Sequence, residues 1–262
     1  MSAPITGSRD RRPEDGPAEG SYRLEDHHDQ DGHDHGHQHR DVTGGWLRPA
    51  VFGAMDGLIT NVSLIAGIGG AGAHPHTIVL TGMAGLVAGA FSMATGEYTS
   101  VQSQNESVRA EVAIEKLELK RHPAAEVAEL AASFRAKGVD EPTARRVAEQ
   151  LSVDPEVALR THAQEELGVD PHGLPSPWTA AGSSFLAFTL GAVLPLLTFL
   201  VGVNSLPISF GIAAVALFAA GVLTAQFTGR HWLFSGLRQL ALGALAAGVT
   251  YWVGHAIGAQ VA

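Results

Sequence analysis

Residues 77–101 read TIVLTGMAGLVAGAFSMATGEYTSV, and their only charged side chain is Glu97. A helix rises about 1.5 Å per residue, so a run of this length covers a hydrocarbon core of roughly 30 Å. The stretch therefore predicts a membrane-crossing helix. Within it, GMAGLVAG at 82–89 is a surface of small residues that lets a neighbouring helix come close.

Four more apolar runs flank this one, at 47–71, 178–202, 207–229 and 236–260. Each is long enough to cross a bilayer. A short turn from Ala71 to His76, containing Gly72 and Pro75, separates the first run from the second. A soluble helical bundle rarely carries five nearly uncharged runs of this length. The expected fold is an all-α membrane protein with five transmembrane helices. Trp46, Trp178, Trp232 and Trp252 fall near the expected interfaces, as an aromatic belt does.

The charges sit elsewhere. Of 26 Asp and Glu and 17 Lys and Arg, only Arg48, Asp56, Glu97, Arg230 and Arg238 lie outside residues 1–44 and 102–170. With five spans, every Lys and Arg falls on one side of the membrane or at its edge. Basic residues mark the cytoplasmic face. The N-terminus and the segment between spans two and three are therefore expected to be cytoplasmic, and the C-terminus outside. The chain divides into a tail at 1–44, spans one and two at 45–101, an insert at 102–176, and spans three to five at 177–262.

Composition excludes several classes. With no Cys there is no disulfide framework, thiolate metal site or Cys nucleophile. A net charge of −9 argues against nucleic acid, which requires a basic face. Residues 1–44 have no apolar core segment of a signal peptide. They are too polar to offset ordering entropy and read as disordered. Six His lie in this tail, at His27, His28, His33, His35, His37 and His39, interleaved with Asp29, Asp31 and Asp34. Such a mixture chelates Zn²⁺-like ions loosely. A plain solvated tail is the competing reading.

The insert reads as a small acidic bundle of three or four helices. Ile114, Leu117 and Leu119 punctuate a helix that continues from the second span until Pro123 breaks it. Val127, Leu130 and Phe134 mark the next, which Gly138 ends. Asp140 and Asp154 are cap candidates, each with a proline in the following turn.

Two sets of residues carry possible chemistry. Asp56 falls near mid-membrane, where a carboxylate costs roughly 2.5–3.5 kcal/mol to insert. A hydrogen bond to Thr60 is its bland explanation. Met93 falls at a similar depth in the second span. A carboxylate with a thioether suits a transition-metal ion. In the insert, Glu115 and Glu118 share a helix face, and Glu126 and Glu129 repeat the pair after the break. Like charges at this spacing repel, so the pairs serve stability poorly and suit a divalent cation. Taken singly, each could be a solvated acid. His162 and Glu166 follow one turn apart.

These features resemble the vacuolar iron transporter family over about residues 46–260. The resemblance rests on FGAMDGL at 52–58, GAFSMATGEY at 89–98, Ser103–Gln104, and the glutamate-rich insert between spans two and three. It implies a homodimer with an ion path between the subunits at spans one and two. It implies that Asp56 and Met93 are membrane ion ligands. It implies that Glu115, Glu118, Glu126, Glu129 and Glu166 bind metal in a cytoplasmic helical bundle, with Glu165 as the alternative to Glu166. Family members move Fe²⁺, and often Mn²⁺, out of the cytosol in exchange for protons. This chain departs from eukaryotic members in having His162 and Ala163 where they place Met ligands. His162 keeps transition metals acceptable there.

The expected function is therefore divalent transition-metal export, not enzymatic catalysis, with Glu97 as a relay at the inner end of span two. No prosthetic group is expected. Fe²⁺ and Mn²⁺, with Zn²⁺ as a further candidate, are the expected ligands. Protons, the lipid bilayer and a second copy of the chain are the expected partners, and a bacterial plasma membrane is the expected location. Two other readings compete: a membrane di-metal carboxylate oxidase, and a metal-sensing scaffold that does not transport. The oxidase class uses Glu-x-x-His pairs. The insert has only Glu-x-x-Glu.

Overall fold

A computed structural model describes residues 45–261. The tail at 1–44, with its expected disorder and its metal-chelating histidines, lies outside these residues. The described chain forms eight helices and no strand: α1 (Leu47–Gly70), α2 (Pro75–Arg121), α3 (Pro123–Ala136), α4 (Glu141–Leu151), α5 (Pro155–Glu166), α6 (Pro177–Leu200), α7 (Leu206–Thr228) and α8 (Trp232–Val261). Helices α1, α6, α7 and α8 and part of α2 are long and apolar enough to cross a membrane. These are the five expected spans. The largest shift is in α8, which begins at Trp232 rather than 236. Gly229, at φ +66°, ends α7 as a left-handed cap, and no breaker follows until the new helix is under way.

Helix α2 runs 47 residues without a break, roughly 70 Å. No proline interrupts it between Pro75 and Pro123. It is thus one rod, apolar in its first half and charged in its second.

Within the apolar part, α1 packs most extensively on α6. Glycine makes that approach possible. A Cβ on Gly53 would lie 2.7 Å from the Ser184 carbonyl oxygen. One on Gly57 would run into the Phe188 carbonyl, and one on Gly191 into that of Ala54. Between them, Asn61 Nδ2 donates to the Ala192 carbonyl at 2.5 Å, in a buried position where an unpaired amide is costly. The small-residue surface of α2 is also a packing face: Gly82 meets Leu196, Gly85 meets Leu64 and Gly89 meets Phe188. Two apolar clusters knit α1, α2 and α6 together. One holds Ile65, Ile78, Leu196 and Phe199; the other holds Leu86, Ala90, Phe188 and Ala192. Ser209 Oγ donates to the Pro195 carbonyl at 2.6 Å and ties α7 to α6.

Between α2 and α6, α3 packs on α4, and α5 packs on the far end of α2. Leu130, Ala131 and Ala148 form the buried core there, with Val127, Phe134 and Leu151 against it. Asp140 caps α4 by accepting from the Thr143 amide, and Asp154 caps α5 by accepting from Glu156 and Val157. Such caps are worth about 1 kcal/mol each. Ile114 and Leu117 lie on the helix as expected, α2, and both are half exposed. The buried position on that stretch of α2 is Glu115.

Candidate metal centre

Three helices bring the site together. α2 supplies Glu115 and Glu118. His122 leaves the helical range, at φ −131° and ψ 46°, and Pro123 at the first position of α3 restarts the chain. This break returns Glu126 towards Glu115. α5 supplies His162 and Glu166, one turn apart.

One ligand atom from each of Glu115, Glu126, His162 and Glu166 falls within 4.8 Å of the others. His162 Nδ1 is the hub. It lies 3.0 Å from Glu166 Oε1, 3.1 Å from Glu115 Oε1 and 3.7 Å from Glu126 Oε2. The His162 side chain is fully buried, and Glu115 and Glu126 are only 8% and 6% exposed. With Nδ1 protonated the ring donates to Glu166, and a metal bound at Nδ1 would displace that proton. Glu115 Oε1 and His162 Nε2 are buried with no hydrogen-bond partner.

The electrostatics follow from this crowding. Burial pushes the Glu115 carboxyl up to about 7, helped by the charge of Glu166 and opposed by His162. Burial likewise raises Glu126, with His162 opposing and Glu129 and Glu118 adding to the rise. Among the described residues no Lys or Arg pairs with the four. Lys116 pairs with Glu156, Lys137 with Glu165, and Arg160 with Asp170. A buried group of acids without a fixed counter-charge is an unfavourable arrangement that a cation relieves. Three carboxylates and one imidazole are a ligand set for a divalent metal.

Glu118 and Glu129 are exposed and stay outside the cluster. They lie close enough to raise the buried acids, so they form its rim. The two carboxylates adjacent on α5 diverge: Glu165 accepts from Ser133 at 3.0 Å and pairs with Lys137, while Glu166 faces His162.

In the apolar part, Asp56 is half-buried on α1 and accepts from Thr60 Oγ1 at 3.2 Å. Met93 on α2 lies against the cluster of Leu86, Ala90, Phe188 and Ala192. Glu97 is half-buried one turn further along α2. Two buried asparagines escaped the sequence reading. Asn61 joins α1 to α6. Asn105, 2% exposed, donates to the Pro175 carbonyl at 2.9 Å where the chain returns towards α6. A polar amide amid apolar neighbours was the only signal for Asn61, and it does not name the partner.

Comparison with known proteins agrees with this architecture. The model of the VIT family matches residues 47–255. A protein of Acanthamoeba castellanii named vacuolar iron transporter is 34% identical, over 84% of this chain and 82% of its own length. Vacuolar iron transporter 1 of Oryza sativa subsp. japonica is 30% identical, over 85% of this chain and 90% of its own. Vacuolar iron transporter homolog 3 of Arabidopsis thaliana is 34% identical, over 82% and 84%. With the family's pattern running from the first membrane-length helix into the last, and relatives aligned over most of both chains, this protein belongs to the VIT family, that of the vacuolar iron transporters.

Proposed function

We propose that this protein exports Fe²⁺ or Mn²⁺ from the cytosol in exchange for protons. The observation that carries the reading is the Glu115–Glu126–His162–Glu166 cluster, buried at all but Glu166 and built on a helix continuous with a membrane-length span. Relatives named iron transporters support iron as the cargo. Membership of a family named for transporters also favours transport over the oxidase reading.

The proposed mechanism begins in the insert, on the cytoplasmic side. Its clustered carboxylates take up the ion, and Glu118 and Glu129 at the rim raise its local concentration. The ion passes along α2 by way of Glu97 to Asp56 and Met93. A hydrated divalent ion cannot enter hydrocarbon unaided, so carboxylate and thioether ligands replace part of its water shell there. Protonation of carboxylates from the far side releases the ion, and the proton gradient drives the cycle. Two copies of the chain line the path with their first two spans. The plasma membrane of a bacterium is the proposed location, with the C-terminus outside.

Fe²⁺ or Mn²⁺ uptake into proteoliposomes under an opposed pH gradient tests the reading. Ion accumulation coupled to proton movement is expected. Binding without flux would make the protein a metal-sensing scaffold instead.

A further inference from the structure

His162 differs from the rest of the cluster in both chemistry and burial. It is the one nitrogen donor of the four and the one whose side chain is wholly closed to solvent. Its Nδ1 faces carboxylates from α2, α3 and α5 at 3.0 to 3.7 Å. Glu115 Oε1, buried and without a hydrogen-bond partner, points at the same nitrogen. The centre is therefore more than an acidic face.

Carboxylates alone offer hard oxygen, which Mg²⁺ and Ca²⁺ accept as readily as Mn²⁺ does. An imidazole changes that ranking. Fe²⁺, Co²⁺ and Zn²⁺ gain from a nitrogen ligand, and the alkaline-earth ions do not. Because the ring is fully packed, it is already oriented, and little ordering cost remains when a metal arrives. The outer nitrogen tells a second part of the story. Metal-bound imidazoles normally donate their outer N–H to a carboxylate or carbonyl, which strengthens the ligand. Nε2 of His162 is buried with no such partner. The discrimination rests on the ring nitrogen that faces the carboxylates, Nδ1.

We propose that His162 is the specificity-determining ligand of this centre, selecting Fe²⁺-like transition ions over Mg²⁺ and Ca²⁺. The inference rests on reading the cluster as the loading site of the transporter.

The test uses the full-length chain with His27→Gln, His28→Gln, His33→Gln, His35→Gln, His37→Gln and His39→Gln, so that tail imidazoles do not contribute. Co²⁺ serves as the air-stable stand-in for Fe²⁺. In this background His162→Gln should weaken Co²⁺ binding about 10- to 100-fold. It should change Ca²⁺ binding less than about threefold, because Ca²⁺ is held by oxygen. Equal losses for both ions overturn the proposal. A second measurement leaves residue 162 intact and so does not depend on how the variant folds. Pulsed EPR of substoichiometric Mn²⁺ should show the coupling of one imidazole nitrogen, and its absence also overturns the proposal. Selectivity and nitrogen coupling without flux in liposomes would instead overturn the transport reading and leave this one standing.

Discussion

Glu165 and Glu166 are neighbours in sequence and opposites in space: Glu166 Oε1 meets His162 Nδ1 at 3.0 Å, while Glu165 pairs with Lys137 and Ser133 on α3. One step along a helix turns a side chain by about 100°, which carries it from the cluster to the α3 surface. Glu166→Gln should therefore weaken Co²⁺ binding to the full chain by tenfold or more, as loss of a charged ligand does. Glu165→Gln should leave affinity within about twofold, since its ion pair is partly solvated and remote from the metal ligands. Calorimetric titration of both variants separates them.

The raised Glu115 carboxyl sets a pH dependence. Its value is about 7 in the folded chain, above the ordinary 4.5. Between those values the native state holds more protons than the unfolded state, so stability falls as pH rises. This contribution is fully present below about pH 4.5 and is lost as pH passes about 7. Glu126 shifts in the same direction and adds to it. Thermal melts of the metal-free protein should show a falling midpoint across this window. Added Mn²⁺ should bind more tightly as pH rises and offset the fall, because it replaces the departing protons. Glu115→Gln should flatten the metal-free profile, and an unchanged slope would count against the assignment.

Asp56 sits on a different helix from every residue of the cluster, with Thr60 as its hydrogen-bond donor. Asp56→Ala should reduce flux in proteoliposomes to the level of empty vesicles. Co²⁺ binding by the same variant should stay within about twofold of the parent, since no cluster ligand is removed. Normal transport by this variant would remove Asp56 from the path.

The contact of α1 with α6 predicts a graded glycine series. Gly57→Ala and Gly191→Ala press a methyl onto backbone carbonyls that cannot move aside. Each should cost about 1–3 kcal/mol, as overpacking does. Gly82→Ala presses on the end of the Leu196 side chain and touches Asn61 Oδ1 at 3.4 Å, and Gly182→Ala meets nothing within 4 Å. The first of these should be milder and the second neutral. Fluorescence-monitored melting in detergent reads the order.

Much of this was legible without coordinates. Runs of apolar residues locate spans because a bilayer core demands about twenty of them regardless of neighbours. The positions of Pro123, Asp140 and Asp154 fix helix ends because rings and caps act within a few residues. The Glu-x-x-Glu spacing put each pair on one helix. It did not say which member of each pair turns inward. Glu115 and Glu126 are buried, and Glu118 and Glu129 are the rim. That depends on where α5 lies, and no spacing within α2 or α3 encodes it.

The same division runs through the whole molecule. The sequence by itself determined the helices, their lengths and their membrane-suited stretches, because those follow from local chemistry and solvent. Tertiary structure alone decided that Gly53 and Gly57 lie against α6, that Asn61 reaches the Ala192 carbonyl, and that His162 meets Glu115 and Glu126. Each of these is a meeting of residues far apart in the chain, fixed by the packing of whole helices rather than by any one helix's own sequence.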